Sequence, residues 1–190
     1  MTTDAPTSFP DTRARFAELA ERWAGLADAL PGPAWSAPSP CAGWTALDVQ
    51  EHVIDTQRSF LADRGVPVAV ADDAFPAGSW RAHAAAVTVA LAPEGVAEQD
   101  FDGFFGPTTV GETLATFYGF DMIVHRWDVA HAAGLRETWT EVEMDHVEAS
   151  MDGFGEHMYA DGICRPAVEL SEPVSRQEQL LARSGRDPRV

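Results

Sequence analysis

The sequence predicts an all-α fold, with helices packed as a bundle around a shared core. Apolar residues recur at helical spacing, and Ser/Thr capping residues stand where those stretches begin. Pro- and Gly-rich segments separate them. The composition suits one domain over residues 11–190: 190 residues with 45% hydrophobic content are enough for a sizeable core.

Residues 1–10 (MTTDAPTSFP) carry no periodicity and are expected to form a flexible N-terminal arm. Over residues 11–30, Phe16, Leu19, Ala20, Trp23, Leu26 and Leu30 form a helical stripe. The loop PGPAWSAPSPCAGW follows. Thr45 with Asp48 at N3 marks the start of a second helix, to about residue 63, and Trp44 is placed to staple onto Val49. RGVPVAVADDAFPAG is linker, and Ser79 is expected to cap an alanine-rich helix from Trp80 to about Leu91.

EGVAEQDFDGFFGPTT is irregular, with a short extended piece at Phe101–Phe105. Thr109 and Glu112 match a capping box that opens the longest helix, continuous to Ala133 and stopped by Gly134. Thr140 and Glu143 repeat the box for a helix to about Tyr159. The tail reads as an extended strap and a short helix at Ser175–Arg183. A helix of about 19 residues spans ~28 Å. A linker of about 15 residues reaches ~50 Å. The second helix and its linker therefore allow the third helix to run parallel to the second.

Charge narrows the function. Thirty acids stand against thirteen bases, all of them Arg, for a net charge of −17. That argues against a phosphate-tracking nucleic-acid binder and against docking on anionic lipid. Without lysine, a Schiff-base mechanism has no residue to use. There is no membrane-span pattern and no signal-peptide pattern, and two cysteines, Cys41 and Cys164, make no disulfide scaffold. The expectation is a cytoplasmic protein with free thiols, monomeric or homodimeric, acting on a small molecule or thiol.

The chemistry concentrates on the longest helix. On a helical wheel with Asp121 at zero, His125 lies at about +40° and Asp128 at about −20°, on the apolar side. A carboxylate and an imidazole facing a core are costly unless paired. His52 shares an inward face with Val49, Val53, Thr56 and Phe60 on the second helix. One divalent ion would satisfy His52, Asp121 and His125 together, in the way bundles build sites from facing helices. The alternatives are a buried Asp–His hydrogen bond, a helix turned so that Asp121 meets water, or His52 as an ordinary core histidine.

Around these, Cys41 is either a fourth ligand or a small buried thiol, the latter favoured. Asp128 either ligates or orients His125 as an acceptor. Arg126 either binds an anionic substrate or is ion-paired. Trp44 and Trp127 line a pocket or fill core. His131 lies ~80° from Asp121 on the wheel, near the helix end, and His83, His146 and His157 show no partner pattern. No nucleophile elbow, P-loop or dinucleotide glycine motif is present.

Three segments carry a resemblance to a known family: PSPCAGWTALDVQEHV, FDMIVHRWDVAHAAG and ICRPAVEL…QEQLLARSGRDP. They resemble the metal-binding domain of mycothiol-dependent maleylpyruvate isomerases, and more closely its short single-domain relatives in the DinB-like superfamily. The resemblance covers about residues 10–190. It implies a four-helix bundle in up-down-down-up order, here with an additional C-terminal helix and strap. It also implies one divalent ion, zinc or nickel, on His52, Asp121 and His125. Asp121 departs from the pattern, since the isomerase has glutamate there and many relatives have histidine.

Three protein ligands leave positions open on the metal, as catalytic sites do. The implied function is a thiol-dependent transferase or isomerase with mycothiol as co-substrate. The isomerase's additional C-terminal domain is not expected here, so maleylpyruvate isomerisation itself is not. The alternatives are a non-catalytic metal- or metabolite-binding bundle and a purely structural bundle without metal.

Overall fold

A computed structural model describes residues 11–69, 75–160, 163–171 and 174–189. The expected N-terminal arm lies outside the described residues, as do residues 70–74 of the linker. The described chain is mostly helical with one small sheet. The described residues divide into two compact units, one over residues 11–137 and one over residues 138–189.

The first unit opens with α1, Thr12–Ala29, capped by Asp11, whose carboxylate accepts from the Ala14 amide. Its expected stripe is the buried face: Phe16, Leu19 and Trp23 are all shielded from water. A 3₁₀ turn, Gly32–Ser36, buries Trp35. Helix α2, Ala46–Asp63, begins with the complete Thr45/Asp48 capping box. Two orphan amides at the helix start are thereby satisfied.

Helix α3 spans Pro76–Leu91, a turn earlier than expected. Its N-cap is Phe75, and the Ser79 amide donates to the Phe75 carbonyl, so Ser79 sits inside the helix instead of capping it. Proline at N1 explains the earlier start: it lacks the N–H that would be orphaned there, and its φ is already helical.

The extended piece expected at Phe101–Phe105 is one arm of an antiparallel hairpin, β1 Asp100–Gly103 and β2 Gly106–Thr109. Gly106 has φ of +111°, a conformation open to glycine, which lets the chain reverse there.

The longest helix is not continuous. It divides at Thr116 (φ −97°, ψ −71°) into α4, Val110–Ala115, and α5, Phe117–Ala132. The Thr116 amide and hydroxyl both donate to the Glu112 carbonyl, at 2.8 and 2.7 Å. Such threonine back-bonding competes with regular helix geometry and bends it. Gly134 (φ +68°) ends α5 as expected, and the Leu135 amide turns back to the Ala130 carbonyl.

Within this unit α1 packs on α3, α4 and α5, and α2 packs on α3 and α5. Two tryptophans join the helices. Trp23 and Trp80 stack at 4.8 Å, Trp80 donates to the Ala20 carbonyl, and Trp23 donates to Gln50. Gln50 in turn donates to the Pro76 carbonyl. These buried indoles therefore keep their polar edges satisfied.

The second unit contains α6, Glu141–Phe154, begun by the complete Thr140/Glu143 box. The helix expected to reach Tyr159 gives way at Gly155 to a 3₁₀ turn, Gly155–Tyr159. Helix α7, Arg176–Arg183, has its own Ser175/Glu178 box. It lies on α6, and Arg176 bridges Glu141, Asp145 and Glu148 at 2.6–3.0 Å. The strap is pinned where the Val168 amide donates to the Ala182 carbonyl. No helix among the described residues is long and apolar enough to cross a membrane.

Candidate metal centre

The site lies in the first unit, where α2 faces α5. On α5, Asp121 and His125 are one turn apart, so their side chains meet. His125 Nε2 lies 3.3 Å from Asp121 Oδ1, and His125 is only 8% exposed. One further turn brings Asp128, fully buried, whose Oδ2 accepts from His125 Nδ1 at 2.8 Å. The imidazole is thus held at both nitrogens. With Nδ1 engaged behind, Nε2 is the atom presented toward Asp121 and α2.

His52 arrives from α2. Its ring centroid is 5.3 Å from that of His125, and the two planes stand nearly perpendicular at 79°. One ligand-type atom from each of His52, Asp121 and His125 lies within 4.8 Å of the other two. Trp44 covers the His52 ring at 4.8 Å and stands 6.5 Å from His125. It is 36% exposed, so one indole face forms the outer wall.

Charge follows this geometry. Burial pushes the His52 imidazole below its ordinary range, and the neighbouring His125 adds to that, against the carboxylates of Asp121 and Asp55. For His125, burial opposes the charged form most strongly. Asp121, with the hydrogen bonds to Asp121, Asp128 and Cys41, outweighs it and holds the imidazolium well above its usual range. Burial also raises the Tyr118 hydroxyl, reinforced by Asp121.

Whether a metal suits these residues can be tested on distances. Four-coordinate zinc with N and O ligands at ~2.0–2.1 Å has ligand–ligand edges of roughly 3.3–3.4 Å. The Nε2–Oδ1 separation of 3.3 Å matches that edge. Two imidazoles and a carboxylate form a donor set of the kind that zinc and nickel accept. The residues fit the group.

A second cluster is formed by Cys41, His125 and Asp128. Cys41 Sγ donates to Asp128 Oδ2 at 3.3 Å and lies 3.8 Å from His125 Nδ1. Cys41 is therefore on the far side of the His125 ring from Asp121, not a fourth member of the first group. Arg126 is fully buried and ion-paired to Glu137 at 2.8 Å, so it offers no anion site. Trp127 is buried and stacks on His131 at 4.7 Å. Cys41 and Cys164 are both thiols, as expected.

The family model for the mycothiol maleylpyruvate isomerase N-terminal domain matches residues 16–130. The chain belongs to this family. No curated protein and no solved structure gives a match. The family match spans α1 to α5 and includes His52, Asp121, His125, Asp128 and Cys41. In this member of the mycothiol maleylpyruvate isomerase N-terminal domain family, His52 stands on α2 and Asp121, His125 and Asp128 on the facing α5, with Cys41 in the loop before α2.

Sequence reasoning weighed Trp44 as pocket-lining or core, and did not connect Cys41 with Asp128. Asp128 was visible from its i+3 spacing to His125. Cys41 precedes His52 by eleven positions in a Pro-rich loop, and loop paths have no period from which to infer contact.

Proposed function

We propose that the protein is a divalent-metal-binding member of the family, holding zinc or nickel on His52, Asp121 and His125. It uses the open side of that ion as a thiol-dependent transferase or isomerase toward a small molecule. The observation that carries this is the convergence of two imidazoles and one carboxylate, from two helices, with all three ligand atoms within 4.8 Å of one another and the Asp121–His125 edge at 3.3 Å. The fold proposed with it is the up-down-down-up four-helix bundle. The pairings of α1 with α3, α3 with α2, α2 with α5 and α5 with α1 close a ring of four, which supports that arrangement.

A bound zinc supplies Lewis acidity, which lowers the pKa of a coordinated thiol or water. The chain's own residues do the rest. Asp121 contributes the one negative charge among the three ligands and offsets part of the ion's charge. His52 and His125 would hold the ion from separate helices, and Trp44 stands beside both rings. The Trp44 indole offers an apolar face against which a small substrate packs. Membership of a mycothiol-linked family makes mycothiol the thiol to test first.

Elemental analysis of purified protein should find about one zinc or nickel per chain. His52→Ala should lose most of it while its helical circular dichroism stays unchanged. Wild-type stoichiometry in that variant would remove His52 from the site. In cobalt-loaded protein, mycothiol should produce a thiolate-to-metal charge-transfer band, with conjugation of a test electrophile that stops when the metal is removed. A spectral change without turnover assigns a metabolite-binding bundle instead.

A further inference from the structure

A second group of contacts, outside the ligand set, lies behind His125. Asp128 is fully buried, and one of its oxygens, Oδ2, accepts both from His125 Nδ1 at 2.8 Å and from the Cys41 thiol at 3.3 Å. Burying a carboxylate is costly unless it is met by donors, and these two supply them.

Cys41 is itself held in place by its loop. Its amide donates to Ser39 Oγ and its carbonyl accepts from the Trp44 amide. The Ser39 amide donates to the Trp44 carbonyl, and Pro38 bridges to Thr45 at the start of α2. The same turn thus carries Cys41 to the back of His125 and Trp44 to the face of His52.

Distance decides between two uses of this cluster. A second metal on Cys41, His125 Nδ1 and Asp128 would need an N···O edge of roughly 3.3–3.4 Å and S···N and S···O edges slightly longer. The observed N···O separation of 2.8 Å is that of a charge-assisted hydrogen bond. That distance favours a hydrogen-bonded relay over a second ion site.

We propose that Asp128 and Cys41 are positioning residues: Asp128 holds the proton of His125 on Nδ1 so that Nε2 faces the metal position, and Cys41 holds Asp128. This rests on the metal-binding reading above and assigns the residues that set the affinity of that site. Carboxylates that orient a ligating histidine typically govern metal affinity by 10- to 100-fold, on the order of the loss expected here for Asp128→Asn. Cys41→Ala removes one neutral donor from Oδ2 and should weaken zinc by roughly fivefold. Cys41→Ser keeps a donor at the same place and should restore it.

Zinc affinity is measured by competition with a chromophoric chelator for the wild type and the three variants. A second readout is the low-field Nδ1–H proton resonance of His125, recorded on zinc-free protein. That resonance should be present in the wild type and move upfield in Asp128→Asn, where the acceptor is neutral. Zinc affinity unchanged in Asp128→Asn, or Cys41→Ser as weak as Cys41→Ala, overturns the relay. If Asp128→Asn fails to fold, the Cys41 pair decides. If the wild type binds no zinc, the ligand reading fails, and the resonance still judges the relay: unmoved in Asp128→Asn, it overturns it.

Discussion

His83 should make the protein sensitive to mild acid, for a reason unconnected with the metal site. It lies on α3, is 2% exposed, and its Nε2 stands 2.9 Å from Gln57 Oε1. Trp80 covers one side at 5.8 Å, and no hydrogen-bond partner reaches Nδ1 among the described residues. Burial pushes its pKa down from 6.5 to about 4, and the charge of Arg58 acts in the same direction.

The sign follows from which state takes up the proton first. An unfolded chain protonates this imidazole near 6.5, while the folded chain resists until about 4. Stability is therefore intact above 6.5 and falls as pH drops through that window. At ~1.4 kcal/mol per pH unit the full loss is about 3 kcal/mol, of which about 2 kcal/mol has gone by pH 5.

Carboxylates titrate over part of the same range, so the comparison is with His83→Gln, which removes the titrating group and keeps a polar side chain. Urea unfolding of both proteins, stripped of metal, should be run from pH 8 to 4.5. The stability difference, variant minus wild type, should grow by about 2–3 kcal/mol toward acid. A difference that stays flat would show that His83 charges in the folded state without penalty.

Asp121→Glu should keep zinc binding within about tenfold of wild type, because the charge is preserved, whereas Asp121→Asn should lose more, since a neutral amide no longer offsets the ion. Metal titration checks this, and equal affinity of the Asn variant would show that the charge at position 121 is not used. Gly185→Ala should lower the melting temperature of the protein. Gly185 has φ of +80°, and an added Cβ would stand 2.6 Å from the Arg165 carbonyl oxygen, a combined cost of about 2–3 kcal/mol. Gln50→Leu should cost about 2–4 kcal/mol by urea unfolding, because the Trp23 indole N–H and the Pro76 carbonyl both lose their buried partner.

Helix starts and faces were legible in the sequence because their causes are local. Thr45, Thr140 and Ser175 each cap a helix with an acid three residues on. The stripe of Phe16, Leu19 and Trp23 is buried because 3.6-residue periodicity places it on one side. The adjacency of Asp121, His125 and Asp128 follows equally from one turn of helix.

Only the tertiary structure decided the rest. Pro76 begins α3 ahead of Ser79, and the back-bonded Thr116 divides a helix whose apolar pattern runs on without interruption. The hairpin depends on Asp100–Gly103 finding Gly106–Thr109 as a partner. That His52 meets Asp121 and His125, and that Cys41 reaches Asp128 across 87 positions of chain, are matters of packing between elements. Periodicity states which face of a helix turns inward. It does not state what that face meets, because the partner is chosen by the packing of the whole unit and by loops without a period.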